Sequence, residues 1–135
     1  MNACRAWITR PLSGWHLALP FLYMSGILGL STLPGHVLEF EDASDLLVVA
    51  TPQLQNFLHI PLYGLLAVLW CKFFAHFRLT VRSNVLVACL ITTSFGVFDE
   101  WYQSFIVGRY STIIDAILNA VGALSFCVLY THILW

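Results

Sequence analysis

The residues whose types suit chemistry are His59, Asp99, Glu100, Gln103, Arg109, Asp115 and Asn119, each charged or strongly polar and each within or beside a long apolar stretch. Their spacing is regular. Asp99 with Gln103, Asp115 with Asn119, and His59 with Tyr63 are each four residues apart, so each pair shares a face if its segment is helical. A histidine with carboxylates at hand serves as a nucleophile or general acid–base, with Asp99 or Asp115 orienting its ring. Arg109 offers a bidentate hold on a phosphate. Glu100 and the other carboxylates offer oxygen ligands to Mg²⁺ or Ca²⁺, because acids crowded into one site need a cation, a proton or Arg109 to offset their charge. No GxSxG, HExxH or phosphatase motif accompanies them, and the four cysteines show no CxxC or other metal-ligand spacing.

What must position these residues follows from composition. The chain has 135 residues, 59% of them hydrophobic and 10% charged, against roughly 25% charged in an average soluble domain. Mean hydropathy is +0.81. A soluble protein this small needs more polar surface to cover its core, so this is a membrane protein, a single domain over residues 1–135. Six Lys and Arg against seven Asp and Glu exclude a basic nucleic-acid binder.

The rare charges divide the chain. Pro11–Leu38, Leu46–Cys71, Ser83–Phe98 and Ala116–Trp135 contain no Lys, Arg, Asp or Glu. A span needs about 20 apolar residues, which predicts an all-α bundle of four transmembrane helices near 15–33, 53–73, 83–103 and 112–133. The first run has Arg5 and Arg10 ahead of it but no small-x-small cleavage site behind it, and reads as a retained anchor. Thr51-Pro52 gives helix 2 an N-cap with proline at its first position. Pro61 should kink that helix and free the carbonyl of Phe57. Ser111 suits the cap of helix 4 after a Gly108-Arg109 turn. Ser25 with Gly29, and more loosely Gly122 with Ser125, have the spacing of close helix contacts. Ala43–Ala50 fits a short interfacial or re-entrant element.

Five of the six basic residues, Arg5, Arg10, Lys72, Arg78 and Arg82, fall on one side of this arrangement, which puts both termini in the cytoplasm. All four cysteines then lie in the cytoplasmic half, where disulfides are not expected. The polar residues gather at the opposite, outer end: His59 at the start of helix 2, Asp99, Glu100 and Gln103 at the end of helix 3, and Asp115 and Asn119 in the first turns of helix 4. Ionisable groups in spans are functional candidates by default. The cytoplasmic halves carry nothing polar to continue a path, which argues against an ion channel. Structural roles compete at each position. Asp115 gains from the helix dipole, Arg109 neutralises acids, Gln103 and Asn119 serve as interhelical glue, and Tyr63, Trp101 and Tyr102 suit packing or an aromatic belt.

Leu30-Ser31-Thr32-Leu33-Pro34, His59-x-x-x-Tyr63 and Phe98-Asp99-Glu100-Trp101-Tyr102-Gln103 resemble the VanZ-like family of small membrane proteins. Val107-Gly108-Arg109-Tyr110-Ser111-x-x-x-Asp115-x-x-x-Asn119-x-x-Gly122 continues the resemblance, which covers roughly residues 30–125 in order. One departure stands out: Gln55-Asn56 replaces an Asp-Lys that members often carry before the helix 2 histidine. The resemblance implies residence in the bacterial cytoplasmic membrane and a link to envelope integrity or to susceptibility to the glycopeptide teicoplanin; it implies no particular reaction.

Two functional classes stand level, with a purely structural lock between helices 2, 3 and 4 behind them. In one, the cluster binds an amphiphilic envelope ligand: a membrane lipid phosphate, a cell-wall precursor or a glycopeptide-type antibiotic, with Tyr63, Glu100, Gln103, Arg109 and Asn119 as contacts. In the other, it is an extracytoplasmic enzyme acting on a lipid or polyprenyl phosphate, with His59, Asp99 and Asp115 catalytic.

Overall fold

The computed structural model describes residues 11–33, 52–109 and 111–134. The expected features at Thr51 and Ala43–Ala50 lie outside those residues. Four α-helices follow in chain order: α1 (Leu19–Ser31), α2 (Pro52–His76), α3 (Val81–Gln103) and α4 (Ile113–Leu134), with no strand among the described residues. All four lie within a few residues of their expected positions.

Helix α1 starts later than expected for a local reason. Pro20 has no N–H to give and crowds the carbonyl four residues back, so it is tolerated only in a first turn. The α-helix accordingly begins at Leu19, and the preceding Gly14–Ala18 forms a 3₁₀ turn closed by Leu19 N–H donating to His16 O. Five 3₁₀ residues and thirteen α residues, at about 2.0 and 1.5 Å each, reach about 30 Å, the hydrocarbon thickness of a bilayer. Helix α2 runs from Pro52 to His76 with Pro61 inside it. Thr80 caps α3 by accepting from Ser83 N–H at 3.2 Å.

The bundle is apolar without and carries buried polar side chains within, Asp99, Glu100, Gln103, Asp115 and Asn119 toward one end and Lys72 and Asn84 toward the other. Tyr63, Leu66, Ala67, Trp70 and Cys71 of α2 form the core with Ala88 and Phe95 of α3, Ala123, Cys127 and Tyr130 of α4, and Ile27 of α1. Leu86, Leu90, Val97 and Trp101 on α3, and Ile113, Ile117, Val121, Leu124 and Val128 on α4, face outward. Large apolar side chains on the outside with Asp, Glu, Asn and Gln inside fit lipid as the surrounding medium. Three segments are long and apolar enough to cross a membrane: Phe57–His76, Val81–Gln103 and Ile113–His132.

Glycines set the helix spacing. A Cβ on Gly122 of α4 would strike the carbonyl oxygen of Ile60 and come within 2.9 Å of its Cα, so α2 and α4 touch backbone to backbone there. Gly96 of α3 faces Asn119 and Tyr63, and Gly64 of α2 faces the Phe126 ring. The expected Ser25–Gly29 contact differs. Among the described residues nothing lies within 4 Å of a Cβ placed at Gly29, and the Ser25 hydroxyl donates back to Phe21 O at 3.0 Å.

Candidate functional site

At one end of the bundle the end of α1, the start of α2, the end of α3 and the start of α4 meet. Asp99, Glu100 and Gln103 belong to the last turns of α3, and the helix rotation turns all three inward: they are 1%, 5% and 7% exposed. Carboxylates at a helix C-terminus receive no help from the helix dipole. Asp99 is held instead by side chains, with Tyr63 Oη donating to Oδ2 at 2.8 Å and Gln103 Nε2 to the same oxygen at 2.9 Å. Gln103 Nε2 also donates to Ser31 Oγ at 3.2 Å, which ties the end of α1 into the network.

A second group of bonds fixes His59. Its Nδ1 lies 2.7 Å from Asn119 Oδ1, and Asn119 Nδ2 faces Gly96 O at 3.5 Å. A backbone carbonyl only accepts, so the amide turns its NH₂ toward Gly96 and its oxygen toward the ring. Nδ1 therefore donates, and in the uncharged ring Nε2 carries the lone pair. The orienting partner of His59 is thus Asn119 rather than Asp99 or Asp115. Glu100 Oε1 stands 3.8 Å from the same Nδ1, close enough for electrostatic attraction and too far for a hydrogen bond. The His59 side chain is 18% exposed, whereas Asn119 is fully buried.

Asp115 and Arg109 have structural duties. Thr112 Oγ1 donates to Asp115 Oδ2 at 2.7 Å and accepts from Asp115 N–H at 3.2 Å, a variant of the capping box that starts α4. The cap is therefore Thr112, one residue beyond the expected Ser111, which lies against Glu100 instead. The Thr112-x-x-Asp115 spacing was the available signal. Gly108, at φ 78°, supplies the left-handed turn that precedes Arg109. Arg109 Nε donates to Leu33 O at 3.0 Å and Nη2 to Leu30 O at 2.8 Å, so the guanidinium caps the C-terminal carbonyls of α1. Of the expected site residues, His59, Tyr63, Asp99, Glu100, Gln103 and Asn119 come together in the interior, and Asp115 is buried within electrostatic reach of Glu100. Ser31 joins them, although only its place in the Leu30–Leu33 segment hinted at it.

Among the described residues no three His, Cys, Asp or Glu side chains are grouped so as to hold a metal ion. An apolar groove of about 690 Å³, lined by Val81, Val85, Leu86 and Leu124 among others, lies at the opposite end and does not touch this cluster.

The family described as VanZ/LLP1 matches residues 11–135. The chain belongs to this family. No significant match was found among curated proteins or solved structures. The VanZ-like membership extends over all four helices, so the network joining Ser31 to Asn119 lies wholly within the family domain.

Proposed function

We propose that this VanZ-like membrane protein binds the polar head of an amphiphilic envelope molecule at the cluster formed by His59, Asp99, Glu100, Gln103 and Asn119. The observation that supports it is the setting of His59. Its ring is the part-exposed edge of an otherwise buried polar network, and its neighbours Phe57 and Leu58 are 64% and 54% exposed. A molecule lying in the bilayer would set its head against the ring and its chains along this apolar surface. The excess of basic residues over 72–82, around the turn from α2 to α3, and ahead of α1 supports an extracytoplasmic location for the site and cytoplasmic termini.

Binding draws more support than catalysis from the partner of His59. A carboxylate hydrogen-bonded to Nδ1 stabilises the imidazolium formed in acid–base turnover, whereas here the Asn119 amide takes that bond and Glu100 acts only from 3.8 Å. Phosphate capture by Arg109 also draws less support, since two edges of that side chain already hold α1.

Native mass spectrometry of gently extracted protein tests the reading. Wild type is expected to retain an amphiphile that the His59→Ala variant loses. Equal retention by both, or none by wild type in lipid-supplemented detergent, refutes it.

A further inference from the structure

Two acceptors of the cluster go unmet, although Ser111 lies against Glu100 as a further donor. Tyr63 Oη and Gln103 Nε2 are spent on Asp99 Oδ2, Asn119 Nδ2 faces Gly96 O, and His59 Nδ1 is spent on Asn119 Oδ1. Two buried carboxylate oxygens, Asp99 Oδ1 and Glu100 Oε1, are left with no hydrogen-bond partner. Both side chains are more than nine-tenths buried. Among the described residues the ion pair recorded for Glu100 is with His59, at a loose 3.8 Å, and Asp99 and Asp115 both add negative field around it. Buried acceptors of this kind are the groups that a site leaves open for a donor it does not itself contain.

Resting on the amphiphile-binding reading above, we propose that the head recognised here is a primary ammonium, which donates to Glu100 Oε1 with the field of Asp99 behind it. The ring of His59, with Nδ1 3.8 Å from Glu100 Oε1, is the part-exposed member of the cluster. A head that reaches Oε1 must displace this ring from its bond to Asn119. A bare phosphate head would bring further acceptors to a place where two already go unmet. An ammonium brings three donors and a positive charge. Its charge-assisted bond to a desolvated carboxylate corresponds to a preference of at least about tenfold over an uncharged or anionic head.

The test uses the full-length protein in detergent, with retention read by native mass spectrometry. The probes are phosphatidylethanolamine, its N-acetylated form, phosphatidylglycerol of the same chains, and dodecylammonium. Phosphatidylethanolamine is expected to be retained at least about tenfold over phosphatidylglycerol and over the N-acetylated lipid. Glu100→Gln should erase that preference. Dodecylammonium retained in a Glu100-dependent way while phosphatidylethanolamine is not would keep the ammonium chemistry and assign it to a single-chain amine rather than a lipid head. The N-acetylated lipid acts on wild type, so the comparison stands even if Glu100→Gln fails to fold. Equal retention of all heads overturns the ammonium inference while leaving amphiphile binding intact. Retention of none overturns both.

Discussion

Replacing Gly122 with alanine probes the geometry on which the site depends. The new methyl would meet the backbone of Ile60, its carbonyl oxygen first and its Cα at 2.9 Å, whereas ordinary contact begins near 3.4 Å. Backbone atoms in a helix do not step aside as a flexible side chain does, so α2 and α4 must separate by roughly 1 Å. Overpacking of this kind costs about 1–3 kcal/mol. Ile60 adjoins His59 and Gly122 lies one turn beyond Asn119, so the same displacement stretches the 2.7 Å His59–Asn119 bond beyond hydrogen-bonding range. Its loss adds about 0.6–1.7 kcal/mol, from the average to the maximum for interhelical bonds in membranes. Together these lower Tm in detergent by more than about 5 °C, followed by intrinsic tryptophan fluorescence. Gly26→Ala is the control, because among the described residues nothing lies within 4 Å of a Cβ placed there and the substitution should leave Tm unchanged or slightly raised. A Gly122→Ala protein that melts within about 1 °C of wild type would refute the backbone contact and the spacing argued from it.

The cap on α1 gives a separate test. Arg109→Ala should cost about 1–2 kcal/mol and speed amide exchange near Leu30–Leu33, with Arg109→Lys recovering part because an ammonium lacks the guanidinium fork; unchanged exchange in the alanine variant would exclude the cap. Nitrogen-15 NMR of the uncharged His59 ring should report the Nδ1–H tautomer, lost in Asn119→Ala; an Nε2–H tautomer in wild type would contradict the amide orientation. Cys71 and Cys127 bring their sulfurs to 3.9 Å across the α2–α4 contact. Mild oxidation with copper phenanthroline should therefore join the two helices within one chain, as read after proteolysis of the 77–80 turn. Absence of that link in wild type, with Cys127→Ser as the blank, would count against the packing.

The helices were legible because charge is so scarce that Lys72, Arg78, Arg82 and the acids near Asp99 mark the ends of apolar runs by themselves. The depth of the polar cluster was legible for the same reason, since residue number along a helix fixes height at about 1.5 Å per residue. Rotation between helices was not. Spacing puts Asp99 and Gln103 on one face, but only packing decides that this face meets Tyr63 and Ser31 while Asn119 meets His59. Arg109 shows a different limit. Its charge pointed to the nearby acids, but after the positive φ of Gly108 it bonds to α1, and a backbone dihedral in a short turn leaves no trace in charge pattern. The packing glycines were likewise hidden. Ser25 and Gly29 have the expected spacing, yet a Cβ at Gly29 would meet nothing among the described residues, while Gly64, Gly96 and Gly122 are defined by what stands opposite them on other helices. The three cysteines that gather in the core, Cys71, Cys89 and Cys127, have no sequence spacing in common because each comes from a different helix.

The bundle holds its helices by two kinds of force, and that division places the site at its softer joint. Helices α2, α3 and α4 share the buried core and approach closely at glycines, where dispersion across many short contacts dominates. Helix α1 adds Ile27 to the core, with Tyr23, Met24 and Leu28 packed partly against it. At the C-terminal end of α1 its attachments are polar: Ser31 to Gln103, and the Leu30 and Leu33 carbonyls to Arg109. At about 0.6–1.7 kcal/mol each, three such bonds hold that end by roughly 2–5 kcal/mol. Gln103 is also a donor to Asp99, so any head that engages the Asp99 carboxylate competes for the amide that keeps α1 in place. Gln103→Leu should therefore loosen the end of α1 while leaving the α2–α4 contact intact. Amide exchange would show this as faster opening at residues 28–33 with protection at residues 118–127 preserved. Equal loss of protection in both segments would mean that α1 is not a separate joint and that the four helices open as one.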